Sequence, residues 1–153
     1  MANSDDLNKF PSQYRVFKKR SALRIQLDKP VKASQKYDVG CLYMQIAPAK
    51  NGNGVENGYA WVDEKISVKI GITDISQIIH AIKTGTEASL YHTYEGEVKT
   101  IKFSPKDGGG YFLNVEHTSG DNKNIISMPL DEAEVGTMMT MFSFALPLIH
   151  NWI

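Results

Sequence analysis

Five cations fall within ten residues of this chain: Arg15, Lys18, Lys19, Arg20 and Arg24. Clustered Lys and Arg side chains neutralise phosphate oxygens, and each such contact releases counterions and makes binding salt-dependent. The same cluster also fits a solvated strand edge kept basic against edge-to-edge aggregation, and composition does not choose between the two. The chain as a whole has no net charge, which weighs against a strongly electrostatic binder. That zero hides a division: residues 1–40 carry nine Lys/Arg against four Asp/Glu, a surplus of +5, and residues 41–153 carry the balancing −5.

The remaining reactive side chains form no catalytic pattern. His80, His92, His117 and His150 have no metal-ligand spacing with one another or with Cys41. The sequence contains no nucleophile elbow, phosphate loop, dinucleotide fingerprint or HExxH motif. Gly108-Gly109-Gly110 lacks the Lys-Ser/Thr and the following helix of a phosphate cradle, and fits a hairpin loop. Glu132 and Glu134 fit first-turn carboxylates that complement a helix dipole. The expectation is therefore a protein that is not an enzyme, with no catalytic residue, metal or cofactor. Cys41 has no partner for an internal disulfide; its apolar strand setting suggests a small buried hydrophobe in a reducing compartment.

With 153 residues, 42% hydrophobic, the chain is long enough for one domain with a real core. No apolar run reaches the roughly 20 residues that span a bilayer, so no membrane association is expected. Met1 to Lys9 is polar, without the apolar stretch of a secretory signal or the Arg/Ser bias of a transit peptide. The expected location is cytoplasmic or nucleoid-associated, or an organelle if a transit peptide has been removed. Residues 1–12 are expected to be a flexible segment and 13–153 the folded domain.

Alternation predicts strands over Gln13–Lys19, Ser21–Asp28 (closed by Pro30), Cys41–Ala47 and a long Tyr59–Ile70. The Gly/Asn-rich stretch Asn51–Gly58 between the last two is expected to be the most flexible interior loop. A helix follows, with Thr73 as N-cap, an apolar stripe Ile75, Ile78, Ile79 and Ile82, and Gly85 as its stop. Four strands come next, Glu87–Tyr94, Glu97–Phe103, Gly110–Thr118 and Asn124–Met128. Pro129 and Asp131 then open a C-terminal helix with an Asp131/Glu134 capping box and a buried stripe of Val135, Met138, Met139, Phe142 and Leu146. Turns this short force antiparallel pairing. The predicted class is α+β: two packed four-stranded antiparallel sheets with two helices, one after strand 4 and one at the C-terminus.

The C-terminal run Phe142-Ser143-Phe144-Ala145-Leu146-Pro147-Leu148-Ile149-His150-Asn151-Trp152 resembles the SFALPxIxxW ending of the Whirly family, plant proteins that bind single-stranded DNA. Pro147 should kink or end the helix and aim Ile149 and Trp152 at the body of the protein. Phe17 to Leu23 is similar to the family's YKGKAAL strand, with Lys19 in place of its glycine and Ser21 in place of its next alanine. Gln45-Ile46-Ala47-Pro48-Ala49 resembles QFAPS, Tyr59-Ala60-Trp61 YDW, Leu90-Tyr91-His92 FFH, and Gly110 to Val115 GxFFxLxV. The resemblance runs in collinear order from Gln13 to Trp152.

It implies a pinwheel of strands, a homotetramer assembled through the helices, and single-stranded DNA lying along the sheets between subunits. Related mitochondrial RNA-binding proteins of kinetoplastids share the fold, so RNA binding or annealing stays open, as does a transcription regulator at melted promoters. The implied functions lie in replication, recombination, repair or transcription. Lys18, Lys19, Arg20 and Arg24 would contact phosphates, and Tyr43, Tyr59, Trp61, Tyr91 and Tyr111 are the candidates to stack on bases with little sequence preference.

Overall fold

A computed structural model describes residues 13–28, 40–150 and 152. The N-terminal segment 1–12 and Pro30 lie outside the described residues. Period-two alternation builds eight strands: β1 (Gln13–Phe17), β2 (Ser21–Asp28), β3 (Cys41–Pro48), β4 (Ile66–Ile70), β5 (Ala88–Tyr94), β6 (Glu97–Pro105), β7 (Tyr111–Ser119) and β8 (Asn122–Leu130). They form two antiparallel four-stranded sheets, β1-β2-β3-β4 and β5-β6-β7-β8, each a meander in chain order. The helices are the one-turn α1 (Gly54–Asn57), then α2 (Ile72–Thr84) and α3 (Glu132–Ile149). The class and the two-sheet architecture are those expected from the sequence.

One face of each sheet closes on a shared core. Leu23, Met44, Ile46, Ile66 and Ile70 of the first sheet and Ile101, Phe103, Leu113 and Met128 of the second are fully buried there. The two long helices pack against each other and turn apolar stripes inward, Ile75, Ile78 and Ala81 from α2 and Val135, Met138, Phe142, Ala145 and Ile149 from α3. Met139, expected in that stripe, instead borders a groove on the outer side of α3.

The helix ends follow the physics of unsatisfied backbone groups. At α2 the N-cap is Gly71 rather than Thr73, because the Asp74 carboxylate reaches back to accept the Gly71 N–H at 3.2 Å. Gly85 ends the helix in the left-handed conformation (φ 65°), its N–H turned to the carbonyls of Ala81 and Ile82. At α3 the capping box is complete: Asp131 Oδ1 accepts from Glu134 N–H at 2.7 Å, and Glu134 Oε1 from Asp131 N–H at 3.0 Å. The Glu134 N–H bond favours the Asp131 carboxylate and holds its pKa below the ordinary value. Pro129 lies in β8, not at the helix start; β8 is an edge strand, where a missing N–H costs no ladder bond.

Two further expectations change. The long fourth strand breaks: Tyr59 makes only an isolated bridge to Ala49, residues 61–64 turn, and β4 begins at Ile66. No apolar/polar alternation runs through Trp61-Val62-Asp63-Glu64-Lys65, and Val62 is 90% exposed. α3 ends two residues after Pro147 and Ile149 is buried, as expected, but Trp152 is exposed and stacked on His150. Among the described residues no helix is long and apolar enough to cross a membrane.

Candidate nucleic-acid interface

The β1–β2 register sorts the basic cluster into three places. Arg15 and Arg24 are cross-strand partners on the outward face of the first sheet. Lys19 and Arg20 are exposed at the hairpin tip, because β1 stops at Phe17 rather than at Lys19. Lys18 turns away: its Nζ lies 2.6 Å from Glu134 Oε1 and ties the hairpin to the first turn of α3.

The segment expected to be the most flexible loop holds that tip. Residues 50–52 form a 3-10 turn and 54–57 the helix α1, capped by Asn53. Three successive carbonyls of the tip accept hydrogen bonds from this brace: Lys18 from Tyr59 Oη at 2.6 Å, Lys19 from Gly54 N–H and Arg20 from Ala49 N–H, both at 2.8 Å. The backbone is thereby pinned while the Lys19 and Arg20 side chains stay in solvent. Gly54 is required, since a Cβ there would stand 2.1 Å from the Tyr59 ring. Glycine content signals flexibility only when nothing packs against it; here its small size lets the brace close.

On the outward face of the sheet, Gln13, Gln26, Tyr43 and Lys69 form one cross-strand row, and Arg15, Arg24, Gln45 and Ser67 the next. The amides are pre-ordered by hydrogen bonds from Gln13 to Gln26 and from Gln45 to Ser67. Trp61 lies over this face with the Arg24 guanidinium 4.2 Å from its ring centroid, a cation–π contact that orients the indole. Burial first, and then the neighbouring Arg15 charge, lower the Arg24 pKa. Tyr59 connects Trp61 (6.4 Å between centroids) to Phe17 (5.7 Å). Phe17 is 56% exposed and was not singled out from the sequence. Its signal was parity: Val16 points inward, so Phe17 must point outward beside Arg15.

The five aromatic candidates separate accordingly. Tyr43 and Trp61 share the outward face with Arg15 and Arg24. Tyr59 is half-buried and works as a brace. Tyr91 is exposed, but on the second sheet, apart from this group. Tyr111 cannot stack on a base: it is 6% exposed, stacked on Phe103 at 4.3 Å, with its hydroxyl 2.9 Å from the Ala81 carbonyl and 3.1 Å from that of Thr86. Burial raises its pKa. Residues 111, 113 and 115 share one parity and face the core, which the motif alone did not show. Tyr111→Phe is expected to destabilise the fold by about 0.5–1.5 kcal/mol through loss of the hydroxyl's hydrogen bonds, since the Ala81 carbonyl keeps the Thr86 N–H at 2.9 Å, leaving nucleic-acid affinity unchanged. Chemical denaturation and a binding titration on the same variant check both parts.

Cys41 is buried, and burial pushes its thiol pKa up, as expected of a packing residue. Among the described residues no group of three or more His, Cys, Asp or Glu could hold a metal ion.

The sequence and the fold have relatives. The chain is 31% identical over 122 residues to the mitochondrial single-stranded DNA-binding protein WHY2 of Arabidopsis thaliana, covering 74% of this chain and 49% of that one. It spans about half the length of the curated relatives it matches. The crystal structure of WHY3 from Arabidopsis thaliana superposes with a TM-score of 0.80 at 22% identity, over 94% of this chain and 90% of that one. The trypanosomal MRP1/MRP2 structure shares the fold at a TM-score of 0.67 and 13% identity, over 94% of this chain and 88% of that one. The family model described as Whirly transcription factor matches residues 16–141, from β1 through most of α3. With nearly the whole described domain inside that match, the chain belongs to the Whirly family.

Proposed function

We propose that this chain binds single-stranded DNA with little sequence preference, through the outward face of its first sheet, in replication, recombination, repair or transcription. The observation that carries the proposal is the gathering of Tyr43, Trp61, Arg15 and Arg24 on one face, with Lys19 and Arg20 at its hairpin tip. Aromatic rings stack on any base, and cations follow the backbone, so neither demands a sequence. Because stacking carries no charge, a neutral chain can still bind. The likeness to single-stranded DNA-binding proteins of mitochondria and chloroplasts favours DNA over RNA and an organelle setting.

The functional unit is a homotetramer assembled through the helices. Its support is the outer side of α3, where Gly136, Met139, Thr140, Ser143, Phe144 and Pro147 line a groove of about 450 Å³ and Phe144 is 62% exposed. A large ring so exposed on a helix of this hydrophobicity suits a partner surface.

Electrophoretic retention of oligo-dT, poly-U RNA and duplex DNA of matched length tests the proposal. Oligo-dT should be retained best. Stronger retention of poly-U overturns the DNA reading, and stronger retention of duplex overturns every single-strand reading. In the same assay, Lys19→Ala with Arg20→Ala should lower the salt slope by about 1.4, at roughly 0.7 per phosphate contact on a single strand. Lys18→Ala should leave the slope unchanged, since Glu134 already holds that charge. An unchanged slope in the double variant would remove the hairpin tip from the interface.

A further inference from the structure

Each sheet has a free edge strand next to the connection through α2, β4 in the first and β5 in the second. Ser67 and Lys69 from β4 and His92, Tyr94, Glu97 and Lys99 from β5 and β6 line a cavity of about 380 Å³ between them, within the range of small-ligand sites. Of the sequence landmarks only Leu90-Tyr91-His92 reaches it, through His92. Yet it adjoins the outward face of the first sheet, because Lys69 on its rim is the cross-strand partner of Tyr43.

The walls mix donors, acceptors and an aromatic ring. In an antiparallel strand the N–H and C=O of one residue point to the same side, and the sides alternate along the chain. The Ser67 carbonyl points away from β3, since it accepts from Lys99 Nζ at 2.6 Å. The Ser67 N–H and both backbone groups of Lys69 therefore also face away from β3, on the unpaired edge. Glu97 adds an acceptor, Lys99 a donor, and Tyr94, 73% exposed, a ring at the mouth. Asp74 Oδ2 at the start of α2 lies 3.0 Å from His92 Nε2.

Ligand chemistry follows from these groups. A phosphate would meet the Glu97 carboxylate. A peptide strand pairing with β4 would need the Ser67 carbonyl that Lys99 already occupies. A flat, uncharged ring with alternating donors and acceptors meets neither obstacle and can lie against Tyr94. We propose that this cavity receives a nucleobase of the bound single strand, turned over the β4 edge from the Tyr43 face. The proposal rests on the reading of that face as the DNA interface.

The test is photocrosslinking of the full chain to oligo-dT carrying one 5-iododeoxyuridine, with the adduct located by mass spectrometry. The expected adduct is on Tyr94; adducts confined to Tyr43 and Trp61 overturn the cavity while leaving the outer-face interface standing. Tyr94→Ala and Lys99→Met are compared on oligo-dT and on an abasic deoxyribose-phosphate oligomer of equal length. Tyr94→Ala should lose about tenfold in affinity for oligo-dT, the scale of one lost stack, Lys99→Met should lose affinity through its missing donor, and neither should lose any for the abasic oligomer. An equal loss on both oligomers overturns the proposal, because it would mean a backbone contact. Tyr94 is exposed at a strand end, so its variant keeps the test decisive even where loss of the Lys99 bridge disturbs folding. Failure of the unaltered chain to retain oligo-dT overturns both the cavity and the interface.

Discussion

Replacing Tyr43 and Trp61 together by alanine is expected to weaken oligo-dT binding by about thirtyfold or more, since each base–aromatic stack is worth about 1–3 kcal/mol. The two rings reach the same outward face from different elements. Tyr43 stands in β3 between Gln26 and Lys69, and Trp61 comes from the turn before β4 and is steadied by Arg24. The loss should appear in affinity at fixed salt with the salt slope preserved, the reverse of the signature expected for Lys19 and Arg20. Fluorescence polarisation of labelled oligo-dT over a salt series separates the two. A loss under threefold with both rings gone would remove stacking on this face as the main source of affinity. Tyr59→Ala is a different experiment: it removes the hydroxyl bonded to the Lys18 carbonyl and the ring packed on Gly54, so it acts through the brace.

The second large effect contrasts two phenylalanines on α3. Phe142 is 1% exposed within the core, and Phe142→Ala is expected to destabilise the domain by about 3–5 kcal/mol through lost burial and a residual cavity. Against a typical domain stability of about 5–15 kcal/mol that is a large fraction. Phe144, two residues on, points to the opposite side and lines the outer groove. Phe144→Glu is expected to leave the thermal midpoint of the isolated subunit nearly unchanged and to convert the proposed tetramer to smaller species in sedimentation analysis. A monomeric unaltered chain at micromolar concentration would refute the assembly. Loss of folding in Phe144→Glu would instead place that ring in the subunit core.

Much of the scaffold could be read directly from residue order. The Ile stripe of α2, the Gly85 stop and the Asp131/Glu134 box are local devices whose partners lie within a few residues. Short turns then left only antiparallel pairing open. Boundaries failed where competition was not local in sequence. Thr73 lost the N-cap to Gly71 because a carboxylate reached back, and Pro129 stayed in β8 because an edge strand tolerates it. The Gly/Asn-rich segment looked mobile because the groups that fix it, the carbonyls of Lys18, Lys19 and Arg20, come from about 35 residues earlier in the chain.

The site was legible by residue type and only partly by position. Arg24, Tyr43 and Trp61 are on one face, and strand parity could have added Phe17, but pairing register was needed to bring Gln13, Gln26 and Gln45 beside them. It also withdrew Tyr111 to the core and turned Lys18 toward Glu134.

By itself the sequence determined the eight strands and two long helices in outline, most of their apolar faces, and the family the chain resembles, but not the short helix α1 or the break before β4. Those properties follow from short-range periodicity and capping, where each residue's preference is set by near neighbours. Only the tertiary structure decided which cations remain free, which aromatics reach solvent, and that two sheet edges enclose a cavity. Such outcomes depend on pairing register and on contacts between segments far apart in the chain, and a single residue's shift in register reverses the face on which a side chain emerges.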